Sequence, residues 1–566
     1  MVPIKKAISN LRRKIMKKVF LFLTLFIFSL SLFSQEGVVS SDSEIATRVG
    51  IEILKKGGNA IDAAVAVGFT LAVTFPTAGN IGGGGFMLIR MADGREAVID
   101  YREMAPLKAH RDMYLDKNGE VRKGLSEEGY LASGVPGTVA GLTLALEKFG
   151  TLSLKEVLKP AIDIAERGFP VDSYLKNSID SHIELLSKFP ETKRILLKNK
   201  KELKVGEIIV QKDLAKTLRE IAKYGPDAFY RGKIAELIER DMKRNGGLLD
   251  KESLSSYKAV IREPIRTFYR GYEIVTAPPP SSGVILLQIL NILENFPIFR
   301  MDWKSDEYIH VVAEAMKLAF RDRARLLGDP DFVKIPLKTL LSKDYAEKKA
   351  KSIHYLSAIS EKEADSFNPW NEGEETTHFS IIDKYGNIVS NTYTLNGSFG
   401  SGVIIKGTGI LMNNEMDDFS IKPGYPNIYG LIGGEENSIQ PGKRMLSSMT
   451  PTIVLKEGIP VLVIGSPGGP TIINTVLHNI LYKIDFGMPL KKAISSPRFH
   501  HQWVPNILYL EEGKYEDSVI ESLKKRGHEI KFRKKIGDAH GIEIIEGRRT
   551  GEPDPRGPGK AMTTED

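Results

Sequence analysis

The chain changes texture at one bond, Glu375–Thr376, and any fold it adopts has to join two unlike halves there. From about 140 to 360 the sequence carries helical periodicity with many charged positions. In DEYIHVVAEAMKLAFRDRARLL, which starts at Asp306, residues Ile309, Val312, Ala315, Met316 and Phe320 fall on one face of a long helix. An acidic stretch without apolar periodicity, EKEADSFNPWNEGEE, leads up to the bond and reads as a flexible, exposed connection. Beyond it, HFSIID, Lys-Tyr-Gly-Asn and NIVSNTYTL predict a two-stranded hairpin with side chains alternating inward and outward. Further strands are expected at Gly402–Ile405, Thr452–Lys456 and Val461–Ile464, and a helix at Thr471–Asp485. A mostly helical part therefore meets a strand-dense, glycine-rich part.

Nearer the start, SDSE supplies capping residues for a helix bearing Ala46, Val49, Ile53 and Leu54, which Gly57-Gly58-Asn59 stops. An apolar Ala/Val stretch runs on from Ala60 to Val73. The run Gly82–Gly85 lacks the Lys-Ser/Thr ending of a phosphate loop, so it reads as close backbone packing ahead of a strand at Phe86–Arg90.

Composition narrows the classes. With 566 residues, 42% apolar and 27% charged, the chain is neither disordered, collagen-like nor a polytopic membrane protein. It has no cysteine, which excludes disulfide scaffolds, thiolate metal sites and cysteine nucleophiles. The net charge of +8 is local: residues 1–34 hold seven Lys and Arg and no acid, which leaves about +1 for the rest. A nearly neutral body argues against nucleic acid as a partner. That basic end runs into an apolar stretch, Val19–Phe33, and then Ser34. This is the pattern of a secretory signal cut after Ser34, although Leu32 stands where a small residue is usual. An uncleaved anchor is the other reading. Either way the mature protein is expected outside the cytoplasm, in the periplasm or beyond.

Thr376 stands where the connection meets a strand. A threonine hydroxyl is a poor nucleophile without a nearby base. Breaking the Glu375–Thr376 bond would turn Thr376 into an N-terminus whose own α-amine, of pKa about 7.7–8.0, could take the hydroxyl proton. The same hydroxyl could make the cut, by attacking the carbonyl of Glu375. On its own, a Thr-Thr pair opening a strand signals only β-propensity.

The surrounding motifs carry more. ETTHFSIIDKYGNIVSNTYTLNGSFGSG, NNEMDDFS, KPGYPNIYGLIGG, KRMLSSMTPTIV, GSPGG and PRFHHQW, with NIGGGGFMLIR and VIDYREMAP upstream, resemble the γ-glutamyltranspeptidases. The resemblance spans nearly everything after the signal. It implies an α+β, four-layer αββα sandwich of the N-terminal-nucleophile hydrolase type, self-processed into a large subunit, 35–375, and a small one, 376–566. By the same resemblance Thr376 is the nucleophile and Thr394 the threonine that supports its amine. Gly468 and Gly469 form the oxyanion hole, consistent with backbone N–H groups ahead of a helix. Arg102, Ser447 and Ser448 would hold a substrate α-carboxylate, and Asn396, Glu415 and Asp418 its α-ammonium. Pro423–Gly434 would be a lid gated by Tyr429.

The resemblance implies a γ-glutamyltransferase and glutathione hydrolase. Glutathione and other γ-glutamyl compounds would be donors, and water, amino acids or dipeptides acceptors. His500 and His501 read as structural, and no metal or cofactor motif is present. An acylase or poly-γ-glutamate depolymerase of the same fold, and a non-catalytic binding protein, are the alternatives. The ending TGEPDPRGPGKAMTTED resembles the family through DPR only, which leaves the last ten residues without a role.

Overall fold

The computed structural model describes residues 36–199, 202–360 and 376–566. The signal segment and the acidic connection, including Glu375, lie outside these residues. Thirteen strands make up the two large sheets: β1 (Val38–Ser41), β2 (Gly84–Arg90), β3 (Glu96–Asp100), β4 (Val260–Arg262), β5 (Ile265–Tyr269), β6 (Tyr272–Thr276), β7 (Thr377–Ile382), β8 (Ile388–Thr394), β9 (Thr452–Lys456), β10 (Ile459–Gly465), β11 (His540–Ile545), β12 (Arg548–Pro553) and β13 (Lys560–Thr563). One sheet runs β13-β1-β7-β8-β2-β3-β4 and the other β12-β11-β10-β9-β6-β5. All neighbours in both sheets are antiparallel.

The sheets stack face to face. Phe86, Leu88, Ile388, Ile453, Val463 and Ile542 fill the layer between them. The outer face of the first sheet is covered by the helices Glu44–Lys55 and Ala60–Thr74, in one core with Phe379, Ile381, Val389 and Tyr393. The helices Gly283–Leu293, Asp306–Leu326 and Thr471–Ile484 cover the second sheet. The result is the expected αββα order. Among the described residues no helix is long and apolar enough to cross a membrane.

The β7–β8 hairpin forms as its pattern predicts, but both of its faces are buried. Its outward side chains meet the helical layer, while Ser380 and Ser390 point to the second sheet and donate to the His540 and Ile464 carbonyls there, with His378 bonded to Ser380. The glycine run is close packing: a Cβ on Gly82, Gly83, Gly84 or Gly85 would collide with the carbonyl of Leu411, Thr394, Tyr101 or Thr392.

Three expectations change. Gly402–Ile405 is not a strand, because Gly400 and Gly402 take φ of +54° and +77°, which breaks the extended run and leaves a single bridge, Ile404–Leu411. The helical middle contains β4–β6, and β6 pairs with β9 inside the second sheet. Their signal was legible in TFYRGYEIVT, an aromatic and β-branched alternation around Arg270-Gly271, whose φ angles of +49° and +80° suit a two-residue hairpin turn. The last ten residues gain a role too: β13 pairs with β1 at the edge of the first sheet.

Candidate active site

Register places the two threonines together. Tyr393 of β8 pairs with Thr377 of β7, so Thr394 falls opposite Thr376, and the Thr376 hydroxyl donates to Thr394 Oγ1 at 3.4 Å. Thr376 is 4% exposed and faces a cleft of about 270 Å³. Thr394 Oγ1 also accepts the Asn396 N–H at 2.9 Å, which ties the strand end to the loop that follows.

The opposite wall is the turn after β10. Gly468 and Gly469 take φ of +131° and +52°, backbone that side chains rarely tolerate, and the helix Thr471–Ile484 starts directly after them. Their carbonyls accept helix N–H groups from Thr471 and Ile472. Their own N–H groups make no hydrogen bond among the described residues, which leaves two donors at the head of a helix. A Cβ on Gly469 would lie 3.0 Å from the Tyr429 ring.

Charge is concentrated at one end. The Arg102 guanidinium is fully buried, 2.6 Å from Glu415, 2.5 Å from Asp418 and 3.4 Å from Glu103. Three carboxylates around one cation cannot all ionise easily. Burial pushes Glu103 up to about 8 and Glu415 well above the carboxylate range. The Arg102 guanidinium also donates to the Met445 and Leu446 carbonyls at 3.2 and 3.3 Å, and Ser447 and Ser448 follow directly. Ser447 Oγ accepts the Met449 N–H at 3.1 Å, and Ser448 Oγ accepts from Arg323 at 3.2 Å.

The loop Pro423–Gly434 lies over the cleft. Tyr429 donates its hydroxyl to the Asn396 carbonyl at 2.6 Å, and Asn427 donates to Asp418 at 3.0 Å. Asp417 fastens the loop from beneath by accepting the Ile428 N–H at 2.8 Å and the Ser126 hydroxyl at 2.8 Å. Burial raises Asp417 to about 7.

Arg102, Thr376, Thr394, Asn396, Asp418, Tyr429, Ser447, Ser448 and Gly469 thus line one cleft. Glu415 sits behind Arg102, Gly468 underlies its neighbour, and Glu375 is outside the described residues. His500 bonds Asn474 and Gln502 in the core, and burial lowers it to about 3.

Arg323 and Asp417 went unremarked in the sequence reading. Arg323 carried a signal, because it continues the buried face through Met316 and Phe320 in helical step. It is 5% exposed, and burial draws its pKa down to about 10.

Two buried clusters elsewhere have metal-like composition, but each already holds a cation of its own. In His310–Glu314–His528 the Lys317 ammonium lies 2.8 Å from Glu314. In Asp42–Asp538–His540 it is the imidazolium: burial alone would lower His540, but Asp42 at 2.7 Å and Asp538 outweigh it and raise the ring to about 9.

Two antiparallel sheets stacked between helical layers, with a threonine at the head of a central strand, are the architecture of the N-terminal-nucleophile hydrolases, and this protein is of that class. A family model described as Gamma-glutamyltranspeptidase matches residues 46–564. The chain belongs to the γ-glutamyltranspeptidase family. It is 48% identical over 528 residues to the glutathione hydrolase proenzyme of Escherichia coli (strain K12), covering 92% of this chain and 91% of that protein. The γ-glutamyltranspeptidase structure from Helicobacter pylori superposes with a TM-score of 0.56 at 46% identity, over 56% of this chain and 92% of the other. A cephalosporin acylase from Bacillus halodurans superposes with a TM-score of 0.82 at 28% identity, over 93% and 95%.

Proposed function

We infer that the protein is a self-processing γ-glutamyltransferase and glutathione hydrolase with Thr376 as its nucleophile. The observation that carries this reading is the placement of Thr376, buried at the head of β7 with its hydroxyl on Thr394 and the free amides of Gly468 and Gly469 across the cleft.

In maturation, Thr376 Oγ adds to the carbonyl carbon of Glu375 and the peptide nitrogen leaves with a proton, giving an ester. The α-amine of Thr376 is free from that step on, and water then hydrolyses the ester, releasing the Glu375 carboxylate and restoring the Thr376 hydroxyl. The products are a large subunit, 35–375, and a small one, 376–566, which stay together because the first sheet interleaves strands of both: β1, β7, β8 and β2 are successive neighbours.

In turnover the free amine takes the hydroxyl proton as Oγ attacks the γ-carbonyl of a donor. The oxyanion that forms is held by the N–H groups of Gly468 and Gly469. The leaving amine collects the proton, and a γ-glutamyl ester of Thr376 remains. Water resolves the ester to glutamate, or the amine of an amino acid or dipeptide takes the acyl group. Arg102, Ser447 and Ser448 receive the donor's α-carboxylate, and Asn396, Glu415 and Asp418 its α-ammonium. Tyr429 closes the lid over both, limiting the access of bulk water. Residues 1–34 direct export, so the reaction takes place outside the cytoplasm.

Thr376→Ala tests the assignment. Self-cleavage on a denaturing gel and p-nitroaniline release from a γ-glutamyl anilide should both vanish, and survival of either refutes it. The acylase alternative draws support from the Bacillus halodurans neighbour and from acylase ACY 1 proenzymes of Pseudomonas at 42% and 41% identity. Comparing γ-glutamyl with glutaryl amides of one amine separates the two, because only the first uses the acids around Arg102.

A further inference from the structure

Arg102 is already engaged by carboxyl groups of its own, Glu103, Glu415 and Asp418, before any ligand arrives. A second cation near the serines would add to the attraction for an incoming anion. Arg323 supplies it. Its guanidinium is buried at the C-terminal end of the helix Asp306–Leu326, where Asp418 favours its charge and Arg102 opposes it, but among the described residues no carboxylate pairs with it directly. Its side-chain bonds go instead to two hydroxyls, Nε to Ser282 Oγ at 3.0 Å and Nη2 to Ser448 Oγ at 3.2 Å.

Proton accounting shows what those bonds do. An arginine only donates, so Ser448 Oγ accepts from Arg323 and its own proton is left to point into the cleft. Ser447 Oγ accepts the Met449 N–H, which leaves its proton in the same position. Ser282, accepting from Arg323, passes its proton to the Ser447 carbonyl at 2.5 Å and fixes the backbone between the two serines. Two hydroxyl protons and one cation without a direct ion pair therefore converge on the serines.

Building on the reading that Ser447 and Ser448 take the donor's α-carboxylate, we propose that Arg323 is the positioning residue that makes the enzyme select donors bearing that carboxylate. It orients the Ser448 hydroxyl as a donor and adds a second positive charge to that of Arg102. Arg323 acts through Ser448 and takes no part in the chemistry at Thr376.

The test compares two donors on the mature enzyme: γ-glutamyl-p-nitroanilide and 4-aminobutyryl-p-nitroanilide, which lacks only the α-carboxylate. The readout is the ratio of their kcat/KM values. In Arg323→Gln this ratio should fall about ten-fold or more, through a raised KM for the glutamyl donor. Arg323→Lys keeps the charge but cannot reach both hydroxyls, so its ratio should fall between the two, and it carries the test if the glutamine variant fails to mature. An unchanged ratio, or parallel loss on both donors, overturns the proposal while leaving the serine assignment intact. A wild-type enzyme that does not distinguish the two donors overturns the serine assignment itself, and the proposal with it.

Discussion

Two charge clusters flank the hairpin that carries Thr376, one in front of it and one behind, and they handle the same excess of acid alike but differ in what can reach them. In front, Arg102 faces three carboxylates and the cluster opens on the cleft. Behind, His540 lies between Asp42 and Asp538, sealed between the sheets. Asp42 also accepts the Thr377 hydroxyl at 2.6 Å and the His378 N–H at 3.1 Å, so this rear cluster grips the strand that Thr376 heads. Both clusters relieve excess acid by holding protons: burial, with Asp42 close by, raises Asp538 to about 8 behind, and burial raises Glu103 to about 8 and Glu415 well above the carboxylate range in front. Only the front cluster can also meet a ligand's ammonium. Surplus buried negative charge is thus a binding site where solvent can reach it and a structural clamp where solvent cannot.

Breaking the front cluster should have the largest effect. Arg102→Gln strands three buried carboxylates and should cost about 3–5 kcal/mol of stability, read by denaturant unfolding, with turnover largely lost. Asp418→Asn sharpens the contrast, since it removes an acid rather than the cation. The melting temperature should hold or rise, while KM for the γ-glutamyl donor increases roughly 30-fold or more.

The rear cluster responds to pH. His540 binds its proton more tightly when folded, so its contribution is complete below its ordinary 6.5 and is lost as pH rises towards 9. Asp538, raised from 3.8 to about 8, has the same sign: its contribution is full in acid and disappears as pH climbs through 8. Thermal melts should therefore fall between pH 6.5 and 9. His540→Gln should melt lower at the acid end, and its gap from wild type should close by pH 9. A gap independent of pH would show that the ring is not an imidazolium. The smallest effect belongs to Tyr429→Phe, which removes the 2.6 Å bond to Asn396, worth about 1 kcal/mol. A few-fold rise in hydrolysis relative to transfer, measured with a dipeptide acceptor, is the expected sign of a looser lid.

Local pattern accounts for much of what could be read in advance. Ser43 and Asn59 cap their helices as short polar residues ahead of apolar runs do. The hairpin carrying Thr376 and Thr394 was legible from alternation around a glycine turn. Gly468 and Gly469 stood out as glycines before a helix. Glu415 and Asp418 were named as ligands of a substrate, yet their bonds to Arg102, and that of Glu103, were not visible, because spacing says nothing about which distant side chains share a pocket. Arg323 shows the limit clearly: one charged residue in register with an apolar helical face looks like a solvated helix end until Ser282 and Ser448 arrive from other elements.

Sequence alone determined most of the helices and hairpins, because hydrophobic period and turn chemistry act over a few residues, while Thr376 was singled out by family motifs rather than by that pattern. Tertiary structure decided that β1, β7 and β13, drawn from both ends and the middle of the chain, lie side by side. It also decided that Arg102 pairs directly with carboxyl groups while Arg323 is held by two hydroxyls. Both outcomes depend on burial, where pairing partners and counter-charges are chosen by the whole core rather than by neighbours in the chain.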